Sequence, residues 1–178
     1  GLNVLKGKFL PNVMERIAES RNLLREKCLK EGYDYFFSLE QDAVAAPDTL
    51  YRLIKAEKDI ATGVVLNQTM SLDGSKLLTV PMLWEDFPGK PEKMRYVEGK
   101  KLLQKELFEV RACSLACTLI NRSVLEKISF RANKDSYDDV LFCNDAWKAG
   151  FRVFADPLVR PRHYTRPWDS ETLASEKL

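Results

Sequence analysis

Helical patterns alternate with short apolar runs along this chain, and this alternation constrains the fold more than any other feature. A helical pattern over residues 12–31 precedes an apolar run at 33–39, and a shorter helical pattern at 47–56 precedes another apolar run at 59–66. Strands that alternate with helices in this way usually form one sheet covered by helices. The first part of the chain therefore predicts an α/β layered sheet.

The rest of the chain is less regular. Its turn-rich and charged segments, residues 67–76 and 85–101, predict loops. Between and after them, we expect strands at Leu77–Trp84, 107–112, 115–120 and 151–155, and helices at about 123–128 and 137–149.

Composition limits the classes of protein to which the chain can belong. A length of 178 residues fits one domain, and a net charge of +2 is too small for a general nucleic-acid binder. No apolar run is long enough for a transmembrane segment. The cysteines form no C-x-x-C pair, so we expect no zinc site and a reduced, cytoplasmic protein. Whether Cys113 and Cys117 pair is left open.

Two acidic residues, Glu40 and Asp42, directly follow the apolar run at 33–39. Ligands of open α/β sheets bind beyond the carboxyl ends of strands, and carboxylates bind Mg²⁺ or Mn²⁺ together with substrate phosphates. On a strand, both side chains would point the same way. The alternative is a polar loop in which an acid only caps the next helix. The residues alone do not decide between a metal site and such a loop.

A second acidic pair, Asp138-Asp139, begins the last predicted helix. Ser136 through Asp139 fits a capping box, and acids are favoured in a first helical turn. Alternatively, Asp139 is a general base, which a helix N-terminus would keep ionised.

His163 is the single histidine, and Arg160, Arg162 and Arg166 lie close to it in sequence. These arginines could bind a diphosphate or form a solvated face.

Taken in order, four stretches resemble the GT-A glycosyltransferases, especially family 2. The resemblance covers roughly residues 19–163. Each motif is weak alone, whereas four in the family's order are fairly specific. The stretches are Glu19 to Asn22, similar to an Ala-Arg-Asn segment; Tyr33 to Leu50, similar to the DxD strand and its helix; Cys117 to Leu125, similar to the strand and helix before the acceptor site; and Asp138 to Phe151, similar to the Glu-Asp helix and the strand after it.

This resemblance implies a role for each candidate residue. Asp42 would bind the metal, and Glu40 would bind it through water or contact the ribose of the donor. His163 would complete the metal site. Asp139 would be the base that activates the acceptor hydroxyl. Arg21 would face the nucleotide.

The resemblance also implies an overall fold and function. We expect one GT-A domain over residues 1–178, with a mixed sheet flanked by helices. Only 20 residues precede Arg21, so we expect the family's N-terminal nucleotide-binding part to be short or missing. The compact size resembles that of small archaeal or viral members, and a virus-encoded protein would work in the host-cell cytoplasm.

The expected activity is that of a hexosyltransferase dependent on Mn²⁺ or Mg²⁺. It would move a sugar from a UDP- or GDP-sugar to a carbohydrate, lipid or protein acceptor, with inversion. The alternatives are a nucleotidyltransferase acting on sugar phosphates and a non-catalytic carbohydrate-binding domain of the same fold.

Overall fold

The computed structural model describes residues 4–71, 73–133 and 136–164. The elements within these ranges mostly follow the order expected from the sequence, and a 3₁₀ turn at Gly99–Leu103 accompanies them. The helices are α1 Val13–Glu31, α2 Thr49–Lys55, α3 Arg122–Lys127 and α4 Asp138–Lys148. The strands are β1 Tyr35–Leu39, β2 Ala43–Val44, β3 Ile60–Gly63, β4 Leu66–Met70, β5 Leu77–Pro81, β6 Leu83–Phe87, β7 Lys90–Tyr96, β8 Phe108–Val110, β9 Ala112–Cys113, β10 Cys117–Asn121, β11 Val153–Asp156 and β12 Arg162–His163.

Helix α1 begins and ends where its capping residues predict. The side chain of Asn12 accepts hydrogen bonds from the first turn, and Gly32 closes the helix at a φ of 77°, which glycine adopts without strain. The helix buries Arg21 and Cys28. Leu24, which repeats with helical spacing on the predicted apolar face, is instead 43% exposed. The helix was therefore predicted correctly, whereas its buried face was only partly so.

Five strands form the central sheet in the order β1-β10-β3-β11-β8. Strands β3 and β11 are parallel, and the other neighbours are antiparallel, so the sheet is mixed as expected. Phe37 in β1 lies opposite Leu119 in β10. Strand β1, which carries the acidic residues at its end, lies at one edge of the sheet.

The hydrophobic core is divided between the two faces of this sheet. On one face, α1, α3 and α4 pack around the fully buried ring of Phe142 and against Ile60 and Ile120. On the other face, α2 contributes Leu53, which packs against Leu119. The sheet is thus covered by helices on both faces, as the alternating pattern predicts.

The two predicted loops were wrong in part, because both contain paired strands. Strand β4 begins the segment 67–76 and pairs with β5, and β7 pairs with β6 within the segment 85–101. The expected strand Leu77–Trp84 is divided between β5 and β6. Charged and turn-forming residues obscured these strands because the hairpins are largely solvent-exposed, and polar side chains are tolerated there.

Candidate active site

The acidic residues beyond β1 lie in a turn and not on a continued strand. The Glu40 amide donates to the Ala116 carbonyl at 3.1 Å, and the Ala43 amide donates to the Glu40 carbonyl at 3.0 Å. The two carboxylates are therefore not aligned by a shared strand. The turn nevertheless holds both carboxylates beyond the carboxyl end of β1, where a ligand of this kind of sheet is expected.

Strand pairing brings the single histidine to this turn. His163 in β12 lies opposite Ala43 in β2, and the Tyr164 amide donates to the Asp42 carbonyl at 2.8 Å. The His163 Nε2 atom lies 3.5 Å from Asp42 Oδ2. One potential ligand atom each from Glu40, Asp42 and His163 lies within 4.8 Å of the others.

Two polar atoms of this cluster are buried without a hydrogen-bond partner among the described residues. Within the described part of the chain, neither Asp42 Oδ1 nor His163 Nδ1 has a hydrogen-bond partner. A buried polar atom left unpaired costs about 1–3 kcal/mol. Carboxylate and imidazole groups are metal ligands, so the donor set and its unpaired atoms fit a divalent cation.

Arg21 connects this cluster to the beginning of α4. Its Nη1 donates to Asp138 Oδ2 at 2.5 Å, and its Nη2 donates to Glu40 Oε1. Both Arg21 and Asp138 are buried. The resemblance placed Arg21 at the nucleotide, and it did not identify Asp138 as its partner.

The beginning of α4 differs from the predicted capping box. Tyr137 is the N-cap and makes no side-chain capping bond. Asp139 Oδ1 instead accepts from the Val140 amide at 2.7 Å. Burial raises the pKa of Asp139 to about 6; Asp138 and Glu40 add to this rise, and the Val140 hydrogen bond and Arg21 oppose it. A pKa near 6 is suited to a general base. The pKa of Asp139 is nevertheless higher than that of an ordinary aspartate, in spite of its position at a helix N-terminus.

Two adjacent cavities contain these residues. The first, of about 360 Å³, is lined by Glu40, Asp139 and His163. The second, of about 740 Å³, lies against α1 and is lined by Asp42 and Gln41. Glu40, Arg21 and Ile17 line both. The strand end and the beginning of α4 therefore face a common space, which is large enough for a sugar next to a larger group. Residues that the sequence did not single out also line the first cavity, among them Asn67, Ser114 and Tyr137.

Of the arginines near His163, the two within the described residues, Arg160 and Arg162, both contact other groups of the protein. Arg160 donates to the carbonyls of Pro157 at 2.8 Å and Leu102 at 2.5 Å. Arg162 is exposed on β12, and its Nη1 lies 3.4 Å from the Tyr164 hydroxyl. Arg166 lies outside the described residues. The diphosphate-binding alternative thus gains little support from Arg160, whose Nε and Nη2 donate to backbone carbonyls.

Two expectations from composition can be compared with the structure. All four cysteines are free and buried, so Cys113 and Cys117 do not pair. Among the helices of the described ranges, none has the length and apolar character needed to cross a bilayer.

The architecture is similar to that of solved structures. One is A197 from STIV, with a TM-score of 0.54 at 19% identity over 84% of this chain and 68% of that chain. Another is the glycosyltransferase GalNAc-T7, solved with UDP, GalNAc and Mn²⁺, with a TM-score of 0.55 at 12% identity. The chain has a GT-A-like fold.

The likeness is one of fold alone. The alignment with GalNAc-T7 covers 85% of this chain and 31% of that one, so this chain spans about a third of its length. No family model and no curated protein matches the sequence. The fold expected from the motifs is therefore confirmed, and the roles of individual residues stay predictions.

Proposed function

We propose that this protein is a metal-dependent glycosyltransferase that moves a sugar from a nucleotide-sugar donor to an acceptor hydroxyl. The observation that carries the proposal is the cluster of Glu40, Asp42 and His163, with its unpaired buried atoms, beside the cavity that Asp139 lines. The GT-A-like fold supports the same activity, since GalNAc-T7 was solved with UDP and Mn²⁺.

Asp42 and His163 would hold the metal, with Glu40 as a third ligand directly, through water, or as a contact to the ribose of the donor. A bound cation would supply positive charge against the diphosphate that leaves the sugar. Mn²⁺ is a better match than Mg²⁺ because the ligand set includes an imidazole nitrogen, whereas Mg²⁺ prefers oxygen.

Asp139 would remove the proton from the acceptor hydroxyl. The carboxylate is partly buried, and the Val140 amide orients it through Oδ1. With a pKa of about 6, most of it is ionised at neutral pH, and the proton that it accepts is held more tightly than by an exposed aspartate. A base placed opposite the leaving group implies a single displacement, and hence inversion.

The larger cavity against α1 is the proposed place of the nucleotide, because Asp42 lines it and the cavity adjoins the space beside Asp139. UDP- and GDP-sugars are the donors to test. The acceptor is a carbohydrate, lipid or protein. The four free cysteines agree with the proposed cytoplasmic location.

Calorimetric titration provides the test. UDP, GDP and their sugars are titrated with and without Mn²⁺ into the wild-type protein, Asp42→Asn and the matched control Asp48→Asn. Asp48 is an exposed residue before α2 that makes no side-chain capping bond. We expect metal-dependent binding in the wild type and the control, and its loss in Asp42→Asn.

Product analysis completes the experiment. Release of a nucleoside diphosphate from the donor agrees with glycosyl transfer. Release of pyrophosphate from a nucleoside triphosphate would favour nucleotidyl transfer. If neither a nucleotide-sugar nor a nucleoside diphosphate binds in a metal-dependent way, the proposal is wrong, and a non-catalytic domain is favoured.

A further inference from the structure

Arg21 is a permanent charge in the interior of the protein. It is 9% exposed, on the side of α1 that faces the sheet. Arginine is almost never buried without a partner, because removing its charge from water is costly. Its burial therefore depends on the two carboxylates that it contacts.

These carboxylates belong to different parts of the proposed site. Glu40 is on the turn beyond β1, and Asp138 directly precedes the proposed base at the beginning of α4. Arg21 uses Nη2 for Glu40 and Nη1 for Asp138. The planar guanidinium group thus joins the turn beyond β1, on one side of the smaller cavity, to the acidic beginning of α4 on the other.

The shape of the guanidinium group makes this connection specific. Its nitrogens are fixed in a planar fork, so two carboxylates bound to different nitrogens are held at a defined separation. A lysine ammonium is a single point charge on a flexible chain, which retains the charge but not the fork. If neither an arginine nor a lysine stood at position 21, no positive charge from this position would balance Glu40, Asp138 and Asp139. These three carboxylates line the same cavity and would repel one another.

We infer that Arg21 is a positioning residue that sets the distance between the metal-binding turn and Asp139, and that it is not a donor-binding residue. The inference rests on the proposed transfer reaction. It replaces the role at the nucleotide that the sequence resemblance implies, because two of the guanidinium nitrogens are occupied by carboxylates of the protein itself.

The test compares Arg21→Lys and Arg21→Met with Arg25→Lys and Arg25→Met. Arg25 lies one turn further along α1, and its Nε donates to the carbonyls of Leu125 at 2.7 Å and Ile128 at 2.9 Å. It therefore anchors the same helix without contacting the site. The measurements are kcat and the donor KM, with Mn²⁺ and a UDP- or GDP-sugar that the wild type uses.

A positioning role predicts a loss in kcat. A displacement of about 1 Å can lower a rate on the order of 100-fold, so both Arg21 variants should lose kcat by about 10- to 100-fold with little change in donor KM. The Arg25 variants should keep their kcat. If kcat is retained while donor KM rises about 10-fold or more, Arg21 contacts the donor and the inference is wrong. Full activity in Arg21→Lys would also overturn it, because charge alone would then suffice.

A second readout does not depend on turnover. Paramagnetic relaxation by bound Mn²⁺ reports its distance from the Asp139 backbone amide by NMR. We expect this relaxation to change in Arg21→Lys and to stay the same in Arg25→Lys; an unchanged value in Arg21→Lys would contradict the inference. If Arg21→Met does not fold, Arg21→Lys still tests whether Arg21 is a positioning residue. A wild type that neither binds Mn²⁺ nor transfers sugar would instead refute the proposed function, and this inference with it.

Discussion

Replacement of Asp139 by asparagine should stabilise the protein at neutral pH, although it removes the proposed base. The folded pKa of about 6 lies above the ordinary value of 3.8 because the carboxylate is buried. An aspartate with a raised pKa binds its proton more tightly in the folded state, so ionisation costs stability as pH rises from about 4 through 6. The cost is fully present above pH 6 and disappears at low pH.

The magnitude follows from the pKa difference. A shift of about 2 units corresponds to about 3 kcal/mol at pH 7.5. Asparagine forgoes the interaction of a negative charge with the helix N-terminus, which is worth about 0.3–1 kcal/mol, but it can still accept from the Val140 amide. We therefore expect a net gain of about 2 kcal/mol, or a rise of about 4–8 °C in Tm.

Urea unfolding at pH 7.5 and pH 4 measures this effect. At pH 4 the gain should fall below about 1 kcal/mol. Asp138→Asn is the matched control at the neighbouring position. It weakens the contact with buried Arg21 and should destabilise the protein by about 1–3 kcal/mol. If Asp139→Asn destabilises the protein at pH 7.5, or if its gain does not depend on pH, the assignment of a buried carboxylate with a raised pKa is wrong.

Three further predictions concern activity, metal binding and packing. In steady-state assays, wild-type kcat/KM should fall as pH drops below about 6, because the proposed base becomes protonated. Asp139→Asn should lose about 100- to 10,000-fold in kcat, while calorimetry detects normal donor binding. A flat pH profile, or wild-type turnover in the variant, would exclude Asp139 as the base. His163→Ala should weaken Mn²⁺ binding by about 10-fold or more in calorimetry, and unchanged affinity would remove it from the ligand set. Gly63→Ala should destabilise the protein by about 1–3 kcal/mol in urea unfolding, because an added Cβ would lie 2.7 Å from Val159 Cγ1. Gly99 has open space around it, so Gly99→Ala should be nearly neutral. Equal stabilities of the two variants would contradict the close packing at Gly63.

Much of the fold could be predicted because its signals are local. The capping residues Asn12 and Gly32 mark the ends of α1, and apolar runs mark the strands of the central sheet. Strands β4 and β7 of the exposed hairpins were missed because their polar faces hide the alternation. Long-range pairing between β3 and β11 has no local signal at all, since it depends on how distant elements pack.

In the candidate site, too, local features could be predicted from sequence, whereas long-range pairing could not. The residue types of Glu40, Asp42 and Asp139 allowed metal and base chemistry, but they did not exclude a polar loop or a capping role. The pairing of His163 with the Asp42 turn arises from the register of β12 against β2, which the sequence does not encode within either segment.

The contact between Arg21 and Asp138 was not predicted, for a related reason. The resemblance placed Arg21 at the nucleotide, and Asp138 was interpreted as a helix-terminal acid, so no local signal joined the two residues. The raised pKa of Asp139 likewise depends on burial by the folded chain, whereas local sequence predicts only the helix N-terminus that favours ionisation.

Crystals soaked with Mn²⁺ and a nucleoside diphosphate are the sharpest test of whether Asp42 and His163 hold a metal next to the donor. Anomalous scattering locates the manganese independently of the protein atoms. We expect a manganese peak bound by Asp42 and His163, with the diphosphate between this metal and the cavity lined by Asp139. Manganese bound elsewhere, or a nucleotide that lies away from these residues, would contradict it.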